Sequence, residues 1–432
     1  MSRVCIDGYN IALTRGTGIA TYGRGLIDAN QARGVSCEIL FGPTAPRSPS
    51  DIVNEAALIE QTRPPQRLKR VQRARRAAET FASQFGRTAW PINATHKVNW
   101  PNSVAPPADR FWSAPQLFHR ANRCFNRHGR FTPLSFEPSA PTPSIMHWTA
   151  PLPVWARSVP NIYTIHDLIP LKAPHTTLNN RAEYAALYRE AFRHADQIAV
   201  ISESTKEDVI SIFGIREELI TTTYQSVHIP DEILLADESA ISNEIDDSFN
   251  LAWNGYFVHF GAIEPKKNLG RIVEAYLSTG SRTPLIIVGS RGWLEEDELF
   301  LLNQVKRIGG EAANRIHLYE YMSRRMLLNL IRGAKATLFP SLCEGFGLPI
   351  LESMILGTPV LTSASGATAE VAGDSAILVD PYNVTSIAAG IRALDADADL
   401  RSSLSLMGKE RARIFSQEAY MARLDELYSR VA

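Results

Sequence analysis

Apolar positions along this chain fall into two successive series of strand-sized and helix-sized blocks, parted by a polar stretch near the middle. The first series opens with a strand at 4–6, a polar loop running through Gly18, an amphipathic helix over 19–32 and a strand at 38–41, a β-α-β start. The rhythm then breaks. Residues 43–145 are rich in Pro, Arg and Trp, show one helical piece near 65–85, and read as an elaborate, partly irregular insertion. Regular alternation returns with a strand at 161–166, a helix at 181–194, a strand at 197–201, a helix at 203–213 and a strand at 220–224. Residues 228–250, with Pro230 and many Ser, Asp and Glu, read as a linker.

The second series is cleaner. A strand at 257–260 leads into a helix whose apolar residues Leu269, Ile272, Val273, Tyr276 and Leu277 recur at helical spacing. Strands at 285–288, 316–318, 336–339, 360–362 and 376–379, with helices at 324–332 and 348–357, complete a parallel sheet. Three helical segments, 385–394, 400–415 and 417–431, end the pattern. The expectation is α/β, two Rossmann-like halves with a cleft between them, because doubly wound sheets bind ligands beyond the carboxyl ends of their strands.

Length supports this division, since 432 residues exceed what one ordinary core holds. A formal net charge of zero argues against a nucleic-acid binder. Cys5, Cys37, Cys124 and Cys343 lie far apart with no metal-ligand or disulfide spacing, which fits a reducing compartment. The opening residues read as no signal peptide, and no apolar run reaches the ~18 residues of a membrane span. These features describe a cytoplasmic enzyme.

Candidate chemistry concentrates after strand ends. In FPSLCEGFGLPILESMILGT (339–358), Glu344 and Glu352 flank a Gly-Phe-Gly turn and a helix start near Leu348, whose free amides and dipole suit phosphate oxygens. Glu352 can accept from vicinal hydroxyls, and Glu344 stands ahead of the helix; the pattern suggests a nucleotide-sugar site. Lys266 and Lys267 in GAIEPKKN precede another helix, where cations oppose the dipole and so point to an anionic ligand. His166 and Asp167 end a strand in IHDLIPL and read as substrate contact or proton handling. The loop at 363–370 is as readily a plain strand–helix connection. TRGTGI (14–19) lacks a dinucleotide-binding fingerprint. The basic stretch RPPQRLKRVQRARR, from Arg63 to Arg76, reads first as a solvated helix face and second as a contact for anionic lipid or a phosphorylated acceptor. Trp90, Trp100, Phe111, Trp112 and Phe118 read first as core and second as sugar-stacking platforms.

Together GTGIATYGRGL (16–26), TIHDLIPL (164–171), AVISESTKEDV (199–209), FGAIEPKKNLGRIVEAY (260–276), FPSLCEGFGLPILESMILGTPV (339–360) and AEVAGDSAILVDP (369–381) make the chain similar to the retaining glycosyltransferases of the GT-B fold, family four. The likeness covers most of the chain outside roughly 43–145.

The resemblance implies the GT-B fold, with an acceptor-binding domain over 1–228, a nucleotide-sugar-binding domain over 250–415, and a last helix at 416–432 crossing back onto the first domain. It implies that Lys267 binds the donor diphosphate, that Glu344 contacts the transferred sugar, that Glu352 holds the ribose, and that backbone amides of Phe346, Gly347 and Leu348 line sugar and phosphate. His166 would meet the donor sugar near its anomeric centre, and Gly16, Thr17 and Gly18 would line the phosphate and acceptor side. No metal or other cofactor is implied, helix dipoles and cations serving instead. The donor it suggests is GDP-mannose, with a UDP-sugar as the alternative, and the acceptor a glycan or lipid-linked glycan of polysaccharide or O-antigen assembly. That points to the cytoplasmic side of the inner membrane, with the basic stretch as the segment for peripheral contact. A nucleotide-sugar epimerase of the same fold would lack this combination of motifs. A silent glycan-binding scaffold would be expected to lose Glu344, Lys267 or His166. The chain departs from the family pattern at Ala262, where an arginine is common, at Ala369 in place of a proline, and at Gln417 in place of a tryptophan.

Overall fold

The computed structural model describes residues 3–11, 18–59, 77–93, 95, 97–98, 100, 107–178 and 180–431, whose strands form one sheet of ten strands and one of six. The six-stranded sheet runs Ile316–Tyr319, Leu285–Val288, Phe257–Phe260, Ala336–Phe339, Val360–Ser363, Ile377–Val379, and every pairing is parallel. Its four inner strands are buried along their whole length and mostly apolar, Leu285–Val288 (LIIV) entirely so. That is what a sheet covered by helices on both faces needs.

The larger sheet runs Ile220–Thr222, Gln197–Val200, Asn161–Ile165, Ile145–Trp148, Arg3–Asp7, Ser36–Phe41, Arg110–Ser113, Arg87–Ile92, Thr132–Phe136, Val154–Ala156. Its one antiparallel pairing joins Arg87–Ile92 to Arg110–Ser113. Three of these strands, with the helices Asp51–Ile59 and Leu117–His128, come from the segment expected to be an insertion. The described part of that segment therefore extends the sheet and is not merely irregular chain. Phe111, Trp112 and Phe118 are buried in it, so the core reading of its aromatics holds for them. The expected linker at 228–250 instead contains the helices Asp231–Leu234 and Glu238–Phe249, the second seated through Ile241 and Ile245.

The last helix, Gln417–Ser429, returns to the first sheet. Tyr420, Leu424 and Leu427 share a core with Leu26 and Ile27 of the helix Gly18–Ala32. Tyr428 Oη lies 2.9 Å from Nδ1 of the buried His147, and Asp425 forms an ion pair with Arg33. Where the two halves meet, the rings of Tyr224, Phe346 and Phe415 make mutual contacts of 5.2–6.3 Å between centroids. No helix among the described residues is long and apolar enough to cross a membrane.

Candidate active site

The Lys267 ammonium stands 2.6 Å from Glu344 Oε1, with side chains only 13% and 10% exposed. Two loops at the carboxyl ends of neighbouring strands bring them together. Lys267 follows Phe257–Phe260 through a short 3-10 turn, Pro265–Lys267, and Glu344 follows Ala336–Phe339. Asn268 fixes the first loop. Its backbone sits in the left-handed region at φ 64°, which asparagine tolerates, and its amide nitrogen donates to the carbonyls of Pro340 (2.9 Å) and Pro381 (2.7 Å). The Lys267 ammonium also lies 4.8 Å from the Phe339 ring centroid.

Burial alone would raise the Glu344 carboxyl, but Lys267 and then Lys266 outweigh it and hold the group below the usual carboxylate range. Glu344 is thus a fixed negative charge in a dry place. Glu352, one turn into the helix Leu348–Leu356, meets Arg324 Nη2 at 2.6 Å. Here burial dominates over Arg324, and the carboxyl is pushed up. The helix starts at Gly347, whose φ of 119° favours glycine, and an added Cβ there would lie 2.9 Å from Ile350.

The halves touch at Gly345. A Cβ there would fall 1.9 Å from the carbonyl oxygen of His166, so only glycine fits between the two sheets. The Gly345 carbonyl accepts from Ser202 Oγ at 2.8 Å. A second tie is Glu370, whose carboxylate accepts from the amides of Glu203 (2.7 Å) and Ser204 (2.9 Å) at the start of the helix Glu203–Phe213. Most of the expected loop at 363–370 is instead the helix Gly366–Ala372, and it is Glu370 of this helix that bridges the halves.

His166 is oriented from below. Its Nε2 lies 2.7 Å from the Thr149 carbonyl, which can only accept, so Nε2 carries the proton. Burial lowers its pKa, with the Thr149 bond and Asp167 opposing, and the ring is neutral with Nδ1 left as an acceptor. Thr149 is held in turn by the buried Asp7, whose Oδ2 accepts from the Thr149 amide. Tyr22 meets the His166 ring edge-on at 4.9 Å.

Lys267, Glu344 and His166 thus share one cleft, with Glu352 eight residues along. Gly18 opens the helix Gly18–Ala32, and among the described residues nothing lies within 4 Å of where its Cβ would stand. The Phe346 side chain is buried in the core, and Leu348 is partly buried against it. Gly16, Thr17 and the stretch from Arg63 to Arg76 lie outside the described residues. Sequence reasoning missed Arg324, Trp293 and the interdomain role of Glu370. Only the cap Ser323, one residue before the helix Arg324–Arg332, marks Arg324 as the start of an element facing the strand ends. Among the described residues no group of three or more His, Cys, Asp or Glu is placed to hold a metal ion.

The chain as a whole is similar to known proteins. The family model described as "Glycosyl transferases group 1" matches residues 244–411, and that described as "Glycosyltransferase Family 4" matches 104–229. O-antigen chain mannosyltransferase B of Escherichia coli is 32% identical over 265 residues, which are 60% of this chain and 67% of that protein. O-antigen chain mannosyltransferase RfbU of Salmonella typhimurium is 24% identical over 54% of this chain and 60% of its own length. The serotype-specific mannosyltransferase WbdA of E. coli is 27% identical over 51% of this chain, but only 27% of that longer protein is covered. Among solved structures, Anabaena Alr3699/HepE in complex with UDP and glucose superposes with a TM-score of 0.66 over 99% of this chain and 100% of the other. At 16% identity that likeness concerns the fold.

Proposed function

We propose, for a chain that belongs to the group 1 glycosyl transferases of the GT-B fold, that it moves a mannosyl unit from GDP-mannose to a glycan or lipid-linked glycan, with retention at the anomeric carbon. The observation that carries this reading is the buried Lys267–Glu344 pair beside the His166 backbone at the cleft. A buried cation next to a carboxylate of fixed charge suits a diphosphate that gains negative charge as its bond to the sugar breaks. In this reading Lys267 binds the diphosphate, Glu344 faces the transferred sugar and Glu352 takes the ribose hydroxyls. Backbone amides of Phe346, Gly347 and Leu348 add donors, and Gly16, Thr17 and Gly18 line the opposite wall. His166, neutral with Nδ1 free, accepts from a donor-sugar hydroxyl.

The anomeric carbon–oxygen bond breaks with its electrons passing to the diphosphate. The acceptor oxygen forms the new bond on the same face, and its proton goes to the leaving phosphate oxygen. No protein nucleophile and no metal ion takes part in this scheme. Mannose and O-antigen assembly are supported by the named activities of the relatives. The reading places the enzyme in the cytoplasm, with the stretch from Arg63 to Arg76 as the segment to test for contact with anionic vesicles.

The test is release of nucleoside diphosphate from GDP-mannose, GDP-fucose, UDP-glucose and UDP-galactose, with and without O-antigen glycan acceptors. GDP release from GDP-mannose that rises with acceptor is expected. Turnover with a UDP-sugar instead would overturn the donor assignment. Folded protein that neither binds nor turns over any of the four would sink the transferase reading.

A further inference from the structure

Beneath His166 lies a carboxylate that the transfer scheme does not use. Asp7 ends the strand Arg3–Asp7 and is fully buried. That strand, Ile145–Trp148 and Asn161–Ile165 are parallel neighbours in the first sheet, so Asp7, Thr149 and His166 stand at three adjacent strand ends. Asp7 Oδ2 accepts from the Thr149 amide, and Oδ1 accepts from the Tyr9 amide at 3.2 Å. The Thr149 carbonyl in turn accepts from His166 Nε2 at 2.7 Å. The imidazole thus rests on the residue that Asp7 holds.

The turn after Asp7 is built to keep this arrangement. A Cβ on Gly8 would fall 2.7 Å from the Phe41 ring, and the Gly8 amide donates to the Leu40 carbonyl at 2.8 Å. The Tyr9 amide is thereby folded back onto Asp7. Burial pushes the Asp7 carboxyl up to about 6, opposed by hydrogen bonds, first of all those from Thr149. The charge it carries at neutral pH therefore costs stability, a cost that builds as pH rises from the ordinary 3.8 toward about 6. An apolar or amide side chain would spare that cost. The ionised oxygens thus serve what they hold: the connection that leads to Gly18 on one side, and the seat of His166 on the other.

We propose that Asp7 is the positioning residue for His166 in transfer: through Thr149 it holds the imidazole with Nε2–H on the Thr149 carbonyl and Nδ1 presented to the donor sugar, and through Tyr9 it ties the connection to Gly18 to the same point. The proposal rests on the reading of His166 as a donor-sugar contact and deepens it by naming the group that aims the ring. Asp7 is enclosed below Thr149 and acts through geometry alone. A displacement of about 1 Å at a reacting centre costs about 10²-fold in rate, so a seat two hydrogen bonds away from the sugar still governs turnover.

The experiment compares Asp7→Leu, which keeps the outline and loses both acceptors, with Asp7→Asn, whose one carbonyl oxygen can still take the Thr149 amide. In protein with isotope-labelled histidine rings, the His166 Nε2–H is assigned by its absence in His166→Gln. It is expected as a slowly exchanging resonance in the wild type, lost to exchange in Asp7→Leu, and retained with faster exchange in Asp7→Asn. Release of GDP from GDP-mannose with glycan acceptor is expected to slow about 10²-fold in Asp7→Leu and a few-fold in Asp7→Asn. Calorimetric GDP binding is expected to stay within about twofold of wild type in both. A folded Asp7→Leu that keeps the protected N–H or the wild-type rate would overturn the assignment. Equal loss of rate in the two variants, or loss of GDP binding in step with loss of rate, would do the same. Should Asp7→Leu fail to fold, as judged by thermal melting, Asp7→Asn decides: a wild-type rate or unchanged N–H exchange overturns the proposal. The imidazole resonance is read without turnover, so absence of transfer by the wild type would count against the glycosyl-transfer reading instead, and the two failures are separable.

Discussion

Two carboxylates eight positions apart each meet one cation at 2.6 Å, yet their pKa values are moved in opposite directions. The partner of Glu344 is Lys267, 13% exposed, whereas the partner of Glu352 is Arg324, half exposed at 50%. Attraction between charges strengthens as water leaves and weakens where water and salt reach. Around Glu344 the buried lysines overcome the cost of burial, and the carboxyl titrates low. Around Glu352 the solvated arginine does not, and the carboxyl titrates high. One segment therefore presents two equally buried carboxyls, one held below and the other pushed above the usual carboxylate range. A carboxylate held ionised by two lysines suits the reacting sugar; one pushed up by burial suits hydroxyls.

Glu344→Ala is the sharpest way to break this comparison. It is expected to lower kcat for transfer from GDP-mannose by about 10²–10³-fold with little change in donor KM, read by steady-state release of GDP. Equal losses in kcat and KM would abolish the distinction between the two acids. Removing the cation instead leaves a buried carboxylate without its nearest partner, so Lys267→Ala is also expected to lower unfolding free energy by roughly 3 kcal/mol, measured in urea. Gly345→Ala tests whether the first of these regions depends on contact between the halves. Its methyl would meet the His166 carbonyl at 1.9 Å, and displacement on that scale is expected to cost about 10²-fold in kcat/KM while both sheets stay folded by circular dichroism.

At Glu352 a smaller effect is expected. Glu352→Ala should raise donor KM about tenfold and leave kcat within about twofold, because a hydrogen-bonded charge lost from the ribose weakens ground and transition states alike. A fall in kcat comparable with that of Glu344→Ala would place both acids in the chemical step.

These two acids and Lys267 were legible because strand-end loops with glycine turns and helix starts are local patterns. The helices Arg181–His194 and Glu203–Phe213 were equally plain, each opened by a capping side chain, Asn180 and Ser202. The strands Arg87–Ile92 (RTAWPI) and Thr132–Phe136 (TPLSF) were not, since each carries a proline and neither alternates cleanly. Ile145–Trp148 hid for another reason: its buried His147 looks polar until Tyr428, from the far end of the chain, supplies the hydrogen bond. Glu238–Phe249 sat unnoticed in an acidic stretch because only Ile241 and Ile245 of its twelve residues are buried. In the site itself, the missed groups act across long separations. Trp293 finds its acceptor 117 positions away at Thr176, and Glu370 caps a helix in the other half. No local spacing announces such partners.

The smallest expected effect is the most discriminating, because it reads the two acids in one titration. Glu352 holds its proton more readily than an ordinary glutamate and Glu344 less readily, so acidification neutralises Glu352 first. Donor KM is therefore expected to rise on the acid side before kcat falls, in a pH series of initial rates with GDP-mannose. Arg324→Ala removes the cation that opposes burial at Glu352, which moves that rise in KM to higher pH and leaves the acid limb of kcat where it was. At neutral pH the substitution itself is expected to change KM only a few-fold, since an ion pair with a half-exposed arginine is worth about 1 kcal/mol or less. If the kcat limb shifted along with the KM limb, the charges would be coupled, and Glu344 and Glu352 would have to be treated as one titrating unit rather than two regions with separate work.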